Sequence, residues 1–222
     1  MLIWFLLFFV ILAISAVLAF GSMADYRERP GYFATPYALF LVNHPEILFS
    51  SAWPENLIIS LERLFKGQKR AWVIYGPAHY LRPKTALGLV EIEDYSKKSF
   101  PASIAWEMGT KTALGQSSID NLMNQALLEI RDNEECWWQV VAQPKKGNTL
   151  QAIIRVSVQT NDVKRAQDLQ KIILDTAGKT GLVLIPEVYS SPQILKFYQE
   201  RSLPRKVSFN FEMGDIKKLV GV

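Results

Sequence analysis

The chain opens on an unbroken apolar run, MLIWFLLFFVILAISAVLAFG, in which Met1 to Gly21 carry no charged or amide side chain. A helix rises about 1.5 Å per residue, so this run predicts a helix about 30 Å long, the thickness of a bilayer's hydrocarbon core. Residues 22–53 follow with no sustained period. Pro30, Pro36, Pro45 and Pro54 punctuate or close them, and Tyr32, Phe33, Tyr37, Phe40, Phe49 and Trp53 supply the rings. Proline disfavours helix at the residue before it, and rings with polar tips favour the headgroup level. This segment therefore reads equally as a juxtamembrane stretch along the bilayer surface or as a part packed onto the following domain. The run Tyr37 to Val42 is too short to span again.

Beyond Pro54 the patterning sharpens. Leu57, Ile58, Leu61, Leu64 and Phe65, with Pro54 before them and Gly67 after, predict an amphipathic helix with Glu55, Glu62, Arg63 and Lys66 on its polar face. Ala71–Tyr75, Ala86–Ile92 and Ala102–Trp106 read as strands, separated by Gly76-Pro77 and the polar run 93–99. A helix opening at Ser117 or Ser118 would bury Ile119, Leu122, Met123, Ala126, Leu127 and Ile130.

The last ninety residues are the clearest. Trp137–Ala142 and Leu150–Val158 flank a long hairpin loop at 143–149. In the second strand Leu150, Ala152, Ile154, Val156 and Val158 share one face, and Gln151, Arg155, Ser157 and Gln159 the other, with Ile153 as the exception. A helix follows from Asn161 or Asp162 to Ala177, with Val163, Ala166, Leu169 and Ile173 inward and Gly178 as stop. Then come strand Leu182–Val188, a helix opened by Ser191-Pro192 that buries Ile194, Leu195 and Tyr198, and strand Val207–Met213. The order β-β-α-β-α-β argues for an α+β class, a mixed or antiparallel sheet sandwiched by helices on one face. A ferredoxin-like arrangement is one candidate topology for the C-terminal half. The residues show no internal repeat. The expected organisation is a transmembrane helix at 1–21, a Pro- and aromatic-rich segment at 22–53 and an α+β domain at 54–222, with a sub-boundary near 110–117.

The flanks decide between readings of the first segment. A cleaved signal peptide has a suitable exit at Val17-Leu18-Ala19 but lacks a basic n-region, and the run is longer than a signal core. A buried core helix is disfavoured by Trp4 and the four Phe among all-apolar neighbours. A retained signal anchor remains, and Arg27 and Arg29 after it tilt the domain toward the cytoplasmic side of the cell membrane. Net charge is +4, from 25 basic and 21 acidic residues, which suits proximity to anionic lipid without making a nucleic-acid footprint. The lone Cys136 excludes an internal disulfide framework.

Candidate chemistry is sparse. His44 sits in Val42-Asn43-His44-Pro45-Glu46, and His79 in a Gly-Pro turn beside Tyr80 and Arg82; neither has a His or Cys at metal-ligand spacing. Cys136 follows Glu134 and Glu135 and precedes Trp137-Trp138, a buried rather than a nucleophilic setting. Gly178-Lys179-Thr180 lacks the earlier glycine of a phosphate loop, the position being Ile173. Asp132, Glu134 and Glu135, and Glu91, Glu93 and Asp94, form two acidic clusters that read as solvated loop-end charges. Basic pairs recur at Lys69-Arg70, Lys97-Lys98, Lys145-Lys146, Arg205-Lys206 and Lys217-Lys218, and read as solubilising charge unless they converge.

The sequence thus assigns no catalytic, cofactor-binding or metal residue and no small-molecule substrate. It points to a non-catalytic single-pass subunit or docking protein of a membrane assembly, such as a secretion or transfer complex. Its partners would be the lipid bilayer and other proteins of that assembly. The alternatives are a tethered enzyme with a carboxylate or histidine site, and an anchored binder of anionic lipid or nucleic acid.

Overall fold

The structure is a computed structural model that describes residues 4–5, 7–15, 27–29, 35–49, 52–110, 129–145, 149–185, 189–204 and 209–221. It has an α+β fold dominated by an antiparallel sheet. The sheet strands are β2 (Tyr37–Val42), β3 (Ile59–Lys66), β4 (Lys69–Pro77), β5 (Leu89–Ile92), β6 (Ala102–Thr110), β7 (Glu135–Pro144), β8 (Thr149–Thr160), β9 (Leu182–Leu184) and β11 (Phe209–Glu212). A separate two-stranded ladder joins β1 (Arg27–Glu28) to β10 (Leu203–Pro204). Three longer helices accompany them, α1 (Val163–Gly178), α2 (Ser191–Glu200) and α3 (Met213–Val220).

The main sheet runs β5-β2-β4-β3-β7-β8-β6-β9, every pair antiparallel. Number the strands of each half in chain order and a duplication appears. β2 to β5 lie in the spatial order 4-1-3-2, and β6 to β9 lie in the same order, the two halves meeting through their second strands β3 and β7. The residues show no such repeat because what recurs is strand order and direction, not side chains. β8 is long enough to hold two neighbours on one edge, with β11 against residues 149–152 and β6 against residues 154–160.

The two faces of the sheet differ. One carries the main core, including Phe40, Ile59, Phe65, Trp106, Trp138, Ile154 and Val158. α1 adds Leu169, Ile173 and Ala177 to it, and α3 adds Ile216, Leu219 and Val220. The other face has a small apolar cluster, Ile58, Val141, Ile153 and Leu203, together with buried Trp137 and a row of polar side chains beneath α2. Helices thus cover both faces rather than one. The alternation expected in β8 holds, and Ile153 finds its place in that second cluster.

The helix expected after Pro54 is the strand β3. Asn56 is left-handed at φ 61, which stops a helix at its first turn, and Gly67 at φ 52 turns the β3–β4 hairpin rather than ending a helix. β3 lies inside the sheet with both faces covered, so its apolar residues lose the two-fold alternation that would have marked it. Glu62 and Arg63, expected in water, are buried. Within 37–53, β2 is an inner strand between β4 and β5, and Trp53 donates its indole N–H to the Leu48 carbonyl at 2.8 Å in the core.

Smaller differences have local causes. Only Leu89–Ile92 of the expected strand 86–92 is extended; Arg82–Leu87 is a 3-10 turn closed by left-handed Gly88. α1 is capped by Asp162, whose carboxylate accepts from the backbone N–H groups of Lys164 and Arg165. Val163, at its first position, is exposed, while Ala166, Leu169, Ile173 and Ala177 are buried. Phe197, not Leu195, joins Ile194 and Tyr198 under α2. Met213 starts α3 instead of ending β11. The helix expected near 117–130 lies outside the described residues up to 128; Ile130 is buried in the core. The strand expected at 182–188 is extended over Leu182–Leu184, and 186–188 lie outside the described residues. At the N-terminus residues 7–15 are helical, and no helix among the described residues is long and apolar enough to cross a membrane.

Candidate functional site

Strand register builds a charged ladder across the polar face. Glu107 of β6 stands opposite Arg155 of β8, Arg155 opposite Gln139 of β7, and Gln139 opposite Glu62 of β3. Because residues opposite one another share a face, all four side chains point toward α2. The Arg155 guanidinium donates Nε–H to Glu107 Oε1 at 2.9 Å, and Nη1 reaches Gln139 Oε1 and the Phe197 carbonyl. The Gln139 amide donates to Glu62 Oε1 and to the Tyr198 carbonyl, both at 3.0 Å. The ladder crosses the seam between the two halves and ties α2 to both.

Glu62 is its hub. Oε1 accepts from Ser60 Oγ at 2.7 Å, Gln139 Nε2 and Arg201 Nε at 2.9 Å; Oε2 accepts from Tyr95 Oη at 2.6 Å and Arg201 Nη2 at 3.3 Å. A carboxylate offers about four lone-pair positions, so five donors saturate it. The Tyr95 proton goes to Glu62, which leaves the Tyr198 hydroxyl to donate to Tyr95 at 2.5 Å. Trp137 packs against both tyrosine rings.

Arg201 reaches this hub from the end of α2. It is the C-cap residue, left-handed at φ 49 and ψ 36, where glycine is the usual occupant. The strained backbone aims its side chain inward, where only 2 % of it is exposed. Besides Glu62 it pairs with Asp94 through Nη1–Oδ2 at 2.9 Å and Nη2–Oδ1 at 3.1 Å, and its guanidinium lies over the Tyr75 ring. One arginine thus bridges two carboxylates, a buried one from β3 and a partly exposed one from the loop after β5.

These contacts shift protonation. Burial pushes Asp94 up, but hydrogen bonds from Arg201, its charge, and the Ser96 hydroxyl and N–H outweigh that and hold the carboxyl below its ordinary value. Tyr95 and Tyr198 are raised well above the ordinary phenol value, first by burial and then by the Glu62 charge.

The residues singled out by sequence are dispersed. His44 and His79 are exposed, on the turns after β2 and β4. Cys136 is fully buried in the main core, and burial pushes its thiol up to about 12. The 132–135 carboxylates go separate ways. Glu134 is buried and paired with Arg165 at 2.8 Å, and Glu135 accepts from the Trp137 indole at 2.9 Å. Asp132 is exposed beside Gly67. In the second cluster Glu91 pairs with Arg82, Glu93 is exposed, and Asp94 joins the ladder. Among the described residues no group of His, Cys, Asp and Glu could hold a metal ion. Glu62, Gln139 and Arg201 escaped the sequence because nothing local marks them; the polar side of β8, which includes Arg155, and the acidic cluster that includes Asp94 were the visible signals.

The ladder also meets the chain arriving from the N-terminal helix. β1 pairs with β10, two residues beyond Arg201, and Arg29 pairs with Glu200 at 3.3 Å. Comparison with models of known protein families gives no match, and comparison with curated proteins gives no significant one.

Proposed function

We propose that the chain is a single-pass, membrane-tethered docking subunit that holds an α+β domain close to the bilayer for other proteins of a membrane assembly. The observation that carries this reading is the N-terminal helix. Trp4, Phe5, Leu7, Phe8, Phe9, Val10, Ile11, Leu12 and Ile14 are 49–76 % exposed, on every side of the helix, and none joins the core of the domain. Each such side chain left in water forfeits about 1.5–3 kcal/mol relative to burial, and a helix apolar all round suits lipid. The polar ladder fits the same reading, since its hub carboxylate is saturated by the protein's own donors. Among the described residues the sheet ends at β5, where Val90 is 52 % exposed, and an edge strand can accept an added strand from a partner. Arg27 and Arg29 support a cytoplasmic domain. The order 4-1-3-2 of β6 to β9, with α1 between β8 and β9, supports a ferredoxin-like reading of the C-terminal half.

Membranes holding the full chain, washed in alkaline carbonate, provide the test. The chain is expected to stay with the lipid and to leave only in detergent, accompanied by defined partner proteins. Release into the carbonate supernatant would refute the tether, and a solitary monomer in detergent would refute the docking role.

A further inference from the structure

We propose that the surface formed by α2 and the adjoining Tyr95–Lys97 turn docks on anionic lipid headgroups of the bilayer that holds the N-terminal helix. The proposal rests on the membrane-tethered reading above and adds which face of the domain meets the lipid. The tether supplies the first argument. β1 pairs with β10, and Arg29 pairs with Glu200, so the incoming chain is fixed at the C-terminal end of α2. With the apolar run through Gly21 in the bilayer, five residues, Ser22 to Tyr26, separate it from β1. Five extended residues reach at most about 18 Å. That end of α2 is therefore held near the headgroups.

Charge supplies the second argument. The Gln199 amide donates to the Ser96 carbonyl at 2.8 Å, and Tyr95 and Tyr198 share a hydrogen bond, so the 95–97 turn lies against the last turns of α2. Lys97 and Lys98 are exposed on that turn, and Lys196 is exposed one helical turn before Gln199. These three make no ion pair with any described residue. Of the neighbouring acids, Glu200 is paired with Arg29, while Arg201 is shared between Glu62 and Asp94 and leaves one negative charge there; with exposed Glu93, two opposing charges stand against the three lysines. The face presents an excess of cation toward the surface to which the chain is tied. α1 lies across the sheet from it and serves as a reference.

The test uses the full chain in vesicles of phosphatidylcholine, alone or mixed with phosphatidylserine. A fluorophore is placed at S99C, an exposed site beside Lys98, or at K171C on the exposed side of α1. Cys136, fully buried, stays unlabelled in the folded protein. Headgroup-attached nitroxide is expected to quench S99C more than K171C on anionic vesicles, and high salt is expected to remove the difference. Three cations near an anionic surface predict about a hundredfold shift in the docked population, so K97E/K98E/K196E should quench as on neutral vesicles. Equal quenching at both sites, or quenching indifferent to lipid charge, overturns the proposal while the tether stands. Extraction of the same chain by carbonate overturns the tether and the proposal together.

Discussion

Arg201 concentrates the energetics of the polar face in one side chain. Removing one partner of a buried ion pair costs about 3–5 kcal/mol, because the other charge stays buried and uncompensated. R201M, which strips both carboxylates of their partner, is expected to lose about that much in urea unfolding, and E62Q less, because Arg201 keeps Asp94. The double variant should recover part of the loss, since the buried Glu62–Arg201 pair goes as a unit and only the partly exposed Asp94 loses its partner; additive losses would show that the two residues do not interact. The pH dependence follows from the shifts. Asp94 is held below its unfolded value, so its contribution is complete above about pH 4 and fades as pH falls through the lowered folded value. Stability profiles of D94N should accordingly be flatter in acid. Tyr95 and Tyr198 are raised, so their contribution is complete below about pH 10 and is lost as pH climbs further. Y95F should weaken that alkaline decline, and an unchanged profile would rule out the assignment.

At the scale of elements, two glycines hold strand connections in place. Gly67 turns the β3–β4 hairpin at φ 52, and a Cβ there would run into the Asp132 carboxylate. Gly109 on β6 leaves the room that the Phe209 ring of β11 occupies. G109A is expected to displace that ring and to detach β11 from β8, costing about 1–3 kcal/mol, a typical overpacking penalty. Hydrogen exchange should show the loss at residues 149–152 and 209–212 first; uniform loss of protection across the sheet would contradict it. The elements also differ in how openly the sequence displays them. α1 and β8 each bury one well-defined side in the main core, so a period of 3.6 or 2 stands out in their residues. β3 is paired on both edges and covered on both faces, and its apolar spacing imitates a helix.

For the molecule as a whole, the seam between β3 and β7 decides whether the duplicated halves behave as two units or one. Eight register pairs cross it, from Ile59–Ala142 to Lys66–Glu135, and the ladder from Glu107 to Glu62 crosses with them. The domain is therefore expected to unfold in a single transition, with calorimetric and van't Hoff enthalpies equal. Cys136, beside the seam with its thiol raised to about 12, should resist thiol reagents until that transition and then react fully. Two separated transitions, or early labelling of Cys136, would show that the halves open independently.

The residues alone determined the apolar N-terminal run, the helix capped by Asp162, the alternation of β8 and the buried setting of Cys136. Each of these is written in neighbours a few positions apart, where burial on one side leaves a period. Tertiary structure decided what Glu62, Asp94, Arg155 and Arg201 are for. The partners that join them into one ladder lie 16 to 139 residues away in the chain, and register and the left-handed cap at Arg201 bring them together. The duplication was decided there too, because strand order is set by pairing between distant segments and leaves no mark on any one of them.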